Sequence, residues 1–287
     1  MKAKADIQIG AECIKCRKCE RVCPAGIIVY DEKDKSMKVN RVERCIDCGQ
    51  CVAICPADAL KHSSFPHEKI KQFDKNDCPS AEQLMLLIKK RRSNRAFSTK
   101  EVADEDIARI IEAAQYTPTA RNSRDIGFVV IKNPENLREL SEFTCSTFEK
   151  ITGKLENPFI KPILSLIRPD YYSNIPVMKH VIKGFRNGKD GILRNATAAI
   201  LIYTKNKGML SNADANLAYQ NASLMAETLG VNHFYTGYLC VALRLNKGTL
   251  EKKLGIDGTI QVGMAIGMPM FSFTNYIDKG EPMVKSM

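Results

Sequence analysis

CIKCRKCERVCP at residues 13–24 returns 32 residues later as CIDCGQCVAICP at residues 45–56. Each copy spaces its cysteines C-x2-C-x2-C-x3-C and ends on a proline. The first is Cys13, Cys16, Cys19 and Cys23 with Pro24; the second is Cys45, Cys48, Cys51 and Cys55 with Pro56. The two runs take eight of the chain's eleven cysteines. An internal repeat implies a small unit with pseudo-two-fold symmetry. Lys33-Asp34-Lys35-Ser36 lies between the copies and suits a hairpin turn. Ala25-Gly26-Ile27-Ile28 after the first run matches Ala57-Asp58-Ala59-Leu60 after the second.

A cubane [4Fe–4S] cluster has four iron corners, each needing a thiolate. Three cysteines spaced two residues apart let a short loop wrap three corners, and the fourth corner takes its ligand from elsewhere. The doubled pattern supplies that ligand. It assigns Cys13, Cys16, Cys19 and Cys55 to one cluster, and Cys45, Cys48, Cys51 and Cys23 to the other. Structural zinc uses paired C-x2-C units with a longer gap between pairs, and a disulfide framework belongs to secreted chains. Residues 1–11 (MKAKADIQIGA) contain no apolar run of a signal peptide, so neither alternative suits the pattern. Up to about Leu60 the chain resembles the bacterial ferredoxin family, which implies one-electron transfer through two [4Fe–4S] clusters.

The remaining length of this 287-residue chain is enough for a second domain with its own core, and the hydrophobic content of 44% is that of a globular protein. The longest apolar run, near Ala196–Tyr203, suits a buried strand and is too short to span a membrane. We therefore expect a cytoplasmic protein with no membrane partner. The formal charge of +11 counts every cysteine as neutral. Two clusters with their thiolates remove about four units. Lys and Arg are also spread along the chain, so nucleic acid is not expected as a partner.

The expected division is a cluster domain over residues 1–62, a polar linker over 63–79 and a second domain over 80–287. Ser80 with Gln83 reads as a capping box for a helix carrying Leu84, Leu87 and Ile88 into the basic run Lys89–Arg92. Asp104 reads as the N-cap of a helix whose buried face is Ile107, Ile110, Ile111 and Ala114. Ile126–Lys132, Ala196–Thr204 and Ile260–Ile266 read as strands. Residues 134–190 read as helical and irregular. Asn212–Leu229 reads as a long alanine-rich helix stopped by Gly230, and Thr249–Leu254 as a short helix. The class is α+β, with a mostly antiparallel central sheet flanked by helices.

From Ser80 onward the chain resembles the nitroreductase family. Four stretches carry the likeness: Arg91-Arg92-Ser93-Asn94-Arg95; Pro118-Thr119-Ala120-Arg121-Asn122; the alanine-rich helix leading to Tyr235-Thr236-Gly237; and Gly267-Met268-Pro269 after the last strand. The resemblance implies FMN as cofactor and a homodimer. It implies that Arg91, Arg92 and Ser93 meet the phosphate and ribityl groups, and that Arg95 lies by the pyrimidine edge. Pro118, Thr119 and Asn122 would flank the flavin edge, Thr236 and Gly237 the ring, and Lys279 the phosphate. Arginines beside a hydroxyl suit a phosphate on chemical grounds as well. Two departures stand out. Asn122-Ser123-Arg124-Asp125-Ile126 replaces the family's N-S-Q-P-W, and the C-terminal basic residues that usually reach the phosphate are thinned to Lys279 in Tyr276-Ile277-Asp278-Lys279.

No catalytic side chain is assigned from the sequence. Cys78, Cys145 and Cys240 have no activating partner in view, and His233 reads as a structural histidine that could at most donate a proton. The expected activity is an FMN-dependent oxidoreductase acting on nitroaromatic, quinone or similar small acceptors. Its electrons would come from a ferredoxin, a flavodoxin or NAD(P)H. The alternatives are an electron-transfer or redox-sensing protein without a substrate of its own, or a specialised reaction such as reductive dehalogenation with residues 145–190 as a lid.

Overall fold

The computed structural model describes residues 5–287; the first residues of the segment read above for a leader lie outside the described residues. The chain divides into two compact units. One holds residues up to Pro79 together with Arg121–Ser123, and the other holds Ser80–Ala120 and Arg124–Met287.

The first unit runs β1 (Ile7–Ile9), α1 (Lys18–Val22), β2 (Ile28–Asp31), β3 (Ser36–Val39), α2 (Gln50–Ala53) and β4 (Leu60–His62). Strand β1 pairs antiparallel with β4, placing Ile7 opposite His62, and β2 pairs with β3 as the hairpin that the Lys33–Ser36 turn predicts. Its core includes Ile7, Ile27, Ile28, Met37, Val52, Leu60 and Cys51, with Cys13, Cys19, Cys23, Cys45 and Cys55 packed against it. The sequence repeat is also a backbone repeat. Lys15, Arg17 and Gly26 have positive φ, and so do Asp47, Gly49 and Asp58, each 32 positions on. A left-handed non-glycine residue costs about 1–2 kcal/mol, so the recurrence marks a loop shape imposed on both copies. The segment after β4 forms two short 3₁₀ turns, His67–Lys69 and Lys75–Asp77.

The second unit begins with α3 (Ala81–Lys90), closed at its N-terminus by the Ser80–Gln83 capping box in both directions. Helix α4 (Asp104–Gln115) buries Ile107, Ile110 and Ala114 as expected. Its N-cap, however, is Ala103. Asp104 sits one position inside the helix and pairs with Lys132 at 2.8 Å, because a long-range cation outcompetes the local cap. Strand β5 (Ile126–Ile131) follows, then α5 (Pro134–Leu155), α6 (Lys161–Ile167), α7 (Pro169–Ser173) and α8 (Ile175–Arg186). The chain continues with β6 (Ala198–Thr204), α9 (Ser211–Thr228), β7 (Asn232–Tyr235), α10 (Gly237–Leu245), α11 (Thr249–Lys253) and β8 (Thr259–Gly267).

The sheet order is β5-β6-β8-β7, antiparallel throughout. One face packs on α4 and α9 through Ile110, Ala218, Ala222, Ile200 and Met264; the other packs on α5 and α10 through Leu140, Leu201, Leu239 and Ala265. Alanines on α9 let that helix lie close to the sheet, and Gly230 at φ 72° ends it. Strand β7 and helix α10 were not anticipated: β7 is only four residues long, too short for a clear alternation. No described helix is long and apolar enough to cross a membrane.

Candidate cofactor sites

In the first unit the cysteines gather in the crossed arrangement that the spacing implies. Cys19 lies within electrostatic reach of Cys13 and Cys55, one from each run. Cys45 likewise feels Cys48 and Cys23, and Cys51 feels Cys48 and Cys45. Burial pushes the thiols of Cys19 and Cys45 up, and that of Cys51 to about 11; neighbouring sulfurs add to the rise, and backbone N–H groups oppose it. Crowded, partly buried thiols of this kind suit a cationic iron core that stabilises them as thiolates. The left-handed residues between them turn backbone N–H groups toward sulfur, as where Asp47 N–H donates to Cys45 Sγ at 3.4 Å. The donor set therefore fits two clusters.

His62 was not singled out from the sequence. It ends β4, its side chain is almost wholly buried, and Nε2 lies 3.5 Å from Cys45 Sγ. Burial holds its pKa below the ordinary value, partly offset by Asp47. Its signal was the alternation Leu60-Lys61-His62, in which first and third positions face inward. Arg121–Ser123 belong to this unit, and Asn122 Nδ2 donates to the carbonyls of Ile46 at 3.0 Å and Asp47 at 2.7 Å, inside the second cysteine run. The amide hydrogens of Asn122 are thus engaged by two backbone carbonyls of this unit. Arg121, Asn122 and Arg124 all have positive φ, so the segment is held in a costly shape.

In the second unit the end of α3 and the C-terminal segment enclose a cavity of about 610 Å³. Arg91, Arg92 and Ser93 line it from one side, Tyr276 and Lys279 from the other, with Lys89 at the rim and Asp278 as the acidic member. Arg92 donates to the Asn275 carbonyl at 3.3 Å and lies over the Phe273 ring, which ties the C-terminal segment to the loop. Its Nε is buried without a partner among the described residues. An excess of guanidinium and ammonium groups, one of them carrying an unused donor, fits a phosphate dianion. The cavity thus joins four of the anticipated residues, Arg91, Arg92, Ser93 and Lys279, across nearly the whole second unit.

The other anticipated residues do not line this cavity. Arg95 donates to the Ser93 carbonyl at 3.2 Å and covers the Phe234 ring. Pro118 and Thr119 lie in the loop after α4, where Asp214 on α9 takes the Ala120 N–H with both carboxylate oxygens at 3.1 Å. Thr119 Oγ1 accepts from Arg124 N–H. The alanine pattern of α9 hid Asp214, a buried acid with this positioning task. Thr236 precedes α10 and Gly237 opens it. The Thr236 hydroxyl is buried with no partner among the described residues and presses on Gly263, where a Cβ would collide with it. His233 on β7 is fully buried, and both ring nitrogens lack a hydrogen bond among the described residues. Burial, with Arg91 nearby, drives its pKa to about 4; the Ser223 backbone opposes the shift but lies outside hydrogen-bond geometry. It is neutral at physiological pH and unfit as a general acid there.

Comparison with known proteins gives two matches in one chain. Residues 88–268 match the nitroreductase family, and residues 12–60 match the 4Fe-4S dicluster domain. A protein of Archaeoglobus fulgidus, provisionally named as an NADH dehydrogenase/NAD(P)H nitroreductase, is 38% identical over 61 residues. That match covers 21% of this chain and only 35% of the relative. A Bacteroides fragilis nitroreductase solved with bound FMN superposes with a TM-score of 0.53 at 18% identity, over 71% of this chain and 99% of that one. A Desulfitobacterium hafniense nitroreductase with bound FMN gives 0.52 at 17% identity, over 71% and 97%. These likenesses establish the shared fold.

Proposed function

The chain belongs to the nitroreductase family, and we propose that it is an iron–sulfur flavoprotein oxidoreductase passing electrons between two [4Fe–4S] clusters and FMN. One observation carries the reading: a single chain holds both the crossed thiol sets of the first unit and the basic cavity of the second. FMN exchanges electrons singly or in pairs, and so suits a link between one-electron clusters and a two-electron acceptor.

The residues divide the work. Cys13, Cys16, Cys19 and Cys55 hold one cluster, and Cys45, Cys48, Cys51 and Cys23 the other. Arg91, Arg92 and Lys279 bind the phosphate, with Ser93 as a hydroxyl partner. Arg95 stands at the pyrimidine edge, where positive charge favours the reduced flavin. Pro118 and Thr119 form the rim that Asp214 fixes, and Thr236 and Gly237 approach the ring. The buried, neutral His233 leaves solvent or substrate as the proton source. The acceptors are nitroaromatics, quinones or related small molecules, the donor is a low-potential carrier or NAD(P)H, and the assembly is a homodimer.

The test is anaerobic. Purified protein is expected to contain about eight irons and one FMN per chain. Reduced ferredoxin should then bleach the flavin, and a quinone or nitro compound should restore it. Absence of flavin, four irons per chain, or a flavin that stays oxidised beside reduced clusters would each refute this reading.

A further inference from the structure

The two cluster sites are not equivalent, and the difference is a histidine. The His62 Nδ1 accepts a hydrogen bond from the Ser64 backbone N–H at 3.1 Å. A backbone amide can only donate, so Nδ1 carries the lone pair and the ring proton of the neutral imidazole resides on Nε2. Nε2 lies 3.5 Å from Cys45 Sγ, so the side chain donates N–H to that sulfur. Phe65 packs on the imidazole, ring centres 4.9 Å apart, and helps fix its plane. The Asp47 carboxylate lies 3.8 Å from the same nitrogen, itself held by the Ser64 hydroxyl at 3.2 Å.

The other half offers no counterpart. The position 32 residues before His62 is Tyr30, whose ring is covered by the Arg17 guanidinium and whose backbone N–H bonds to Glu20. Among the described residues no side chain donates to the sulfur of Cys13, Cys16, Cys19 or Cys55. Backbone and packing repeat between the halves, but this donor does not.

We propose that His62 is a positioning residue that raises the reduction potential of the cluster held by Cys45, Cys48, Cys51 and Cys23 above that of its twin. The inference rests on the cluster reading above. One-electron reduction adds a negative charge shared with the thiolate sulfurs, and an N–H aimed at sulfur stabilises the reduced form more than the oxidised form. No bond is made or broken and no proton moves. An electron entering the unit therefore settles preferentially at the second cysteine run.

The experiment is a redox titration of the intact holoprotein, followed by electron paramagnetic resonance, on the native chain, H62L and H62Q. The native protein should show two one-electron steps. In H62L the higher step should lose about tenfold in its reduction equilibrium, or 59 mV for one electron, while the lower step stays in place. H62Q keeps an N–H and should recover part of the shift. The native protein grown with ¹⁵N-histidine should also show nitrogen hyperfine coupling to one reduced cluster only, a signature that packing alone would not give. Full iron with unmoved steps in H62L overturns this inference and leaves the cluster reading intact; absence of iron from the native chain overturns both. Should H62L fail to load iron, the ¹⁵N measurement decides, and a native protein without histidine coupling sinks the proposal.

Discussion

The first unit builds its site from one repeated local pattern, whereas the second builds its site from segments nearly two hundred residues apart. In the first, twelve-residue runs carry the cysteines and the loop shape together, and the left-handed positions recur with the cysteines. In the second, Arg91 to Ser93 meet Lys279 only because the end of α3 and the C-terminal segment line one cavity. A site of the first kind is specified by spacing. A site of the second kind is specified by the fold, and its parts mean little singly.

The crossing of the fourth cysteines gives the largest expected effect and the sharpest way to break this contrast. Cys55 lies in the second run but, like Cys13, is within electrostatic reach of Cys19, and the proposed assignment gives it to the first cluster. C55S should therefore lose the cluster of the first run, about four irons, while the second run keeps its full complement. Iron and sulfide analysis, with spectroscopy of the remaining cluster, checks this. Loss of the second-run cluster instead would mean that each run is self-contained.

Legibility followed the same division. The hairpin at Lys33–Ser36, the Ser80 capping box and the Gly230 stop could be read locally, because each depends on residues within a few positions, and the two cysteine runs stand out by a spacing that repeats 32 residues on. Asp104 misled as a cap because its ion-pair partner, Lys132, lies 28 positions on, just beyond β5. The Ile46 and Asp47 carbonyls that Asn122 meets lie some 75 positions away and could not be read from its own segment. Asp214 and His62 escaped notice for a related reason. An acid in an alanine-rich helix and a histidine at a strand end gain meaning only from what folding sets beside them.

Burial of ionisable groups separates the units further and yields the next effect. In the first unit burial pushes thiols such as Cys51 toward the protonated form, which the proposed iron ligation would reverse. In the second, His233 is buried, neither ring nitrogen makes a full hydrogen bond among the described residues, and its pKa is about 4. The unfolded chain has a histidine pKa near 6.5, so below that pH it binds a proton that the folded chain refuses. Stability is then full above about pH 6.5 and falls as pH drops toward 4, levelling once the folded imidazole also charges. The loss is about 2 kcal/mol at pH 5 and about 3 kcal/mol at pH 4. Denaturation of the native chain and H233F at pH 7.5, 6 and 5 isolates this part as the difference between the two profiles. Parallel profiles would show that His233 has a partner or a route to water.

The smallest effect concerns whether the assembled cavity works as a unit or through one dominant side chain. Arg91 and Arg92 are adjacent, yet their surroundings differ. Arg92 already donates to the Asn275 carbonyl and stacks on Phe273, so part of its binding capacity is used in holding the C-terminal segment. Arg91 shows no such tie to that segment, and its charge acts on His233 and Tyr219 instead. A charge-assisted hydrogen bond is worth about 1.5–3 kcal/mol, so R91A should weaken FMN about ten- to a hundredfold. R91K should recover a minor part, since an ammonium cannot grip a phosphate with two parallel N–H groups. R92A should also loosen the C-terminal segment, detectable as faster proteolysis after residue 270, and K279A should weaken FMN less than R91A because Lys279 is a single flexible contact. Equal losses in R91A, R92A and K279A, with no change in proteolysis, would instead describe a diffuse basic patch. In that case the long-range assembly would supply only net charge, and the contrast with the ligand-by-ligand construction of the first unit would be greater still.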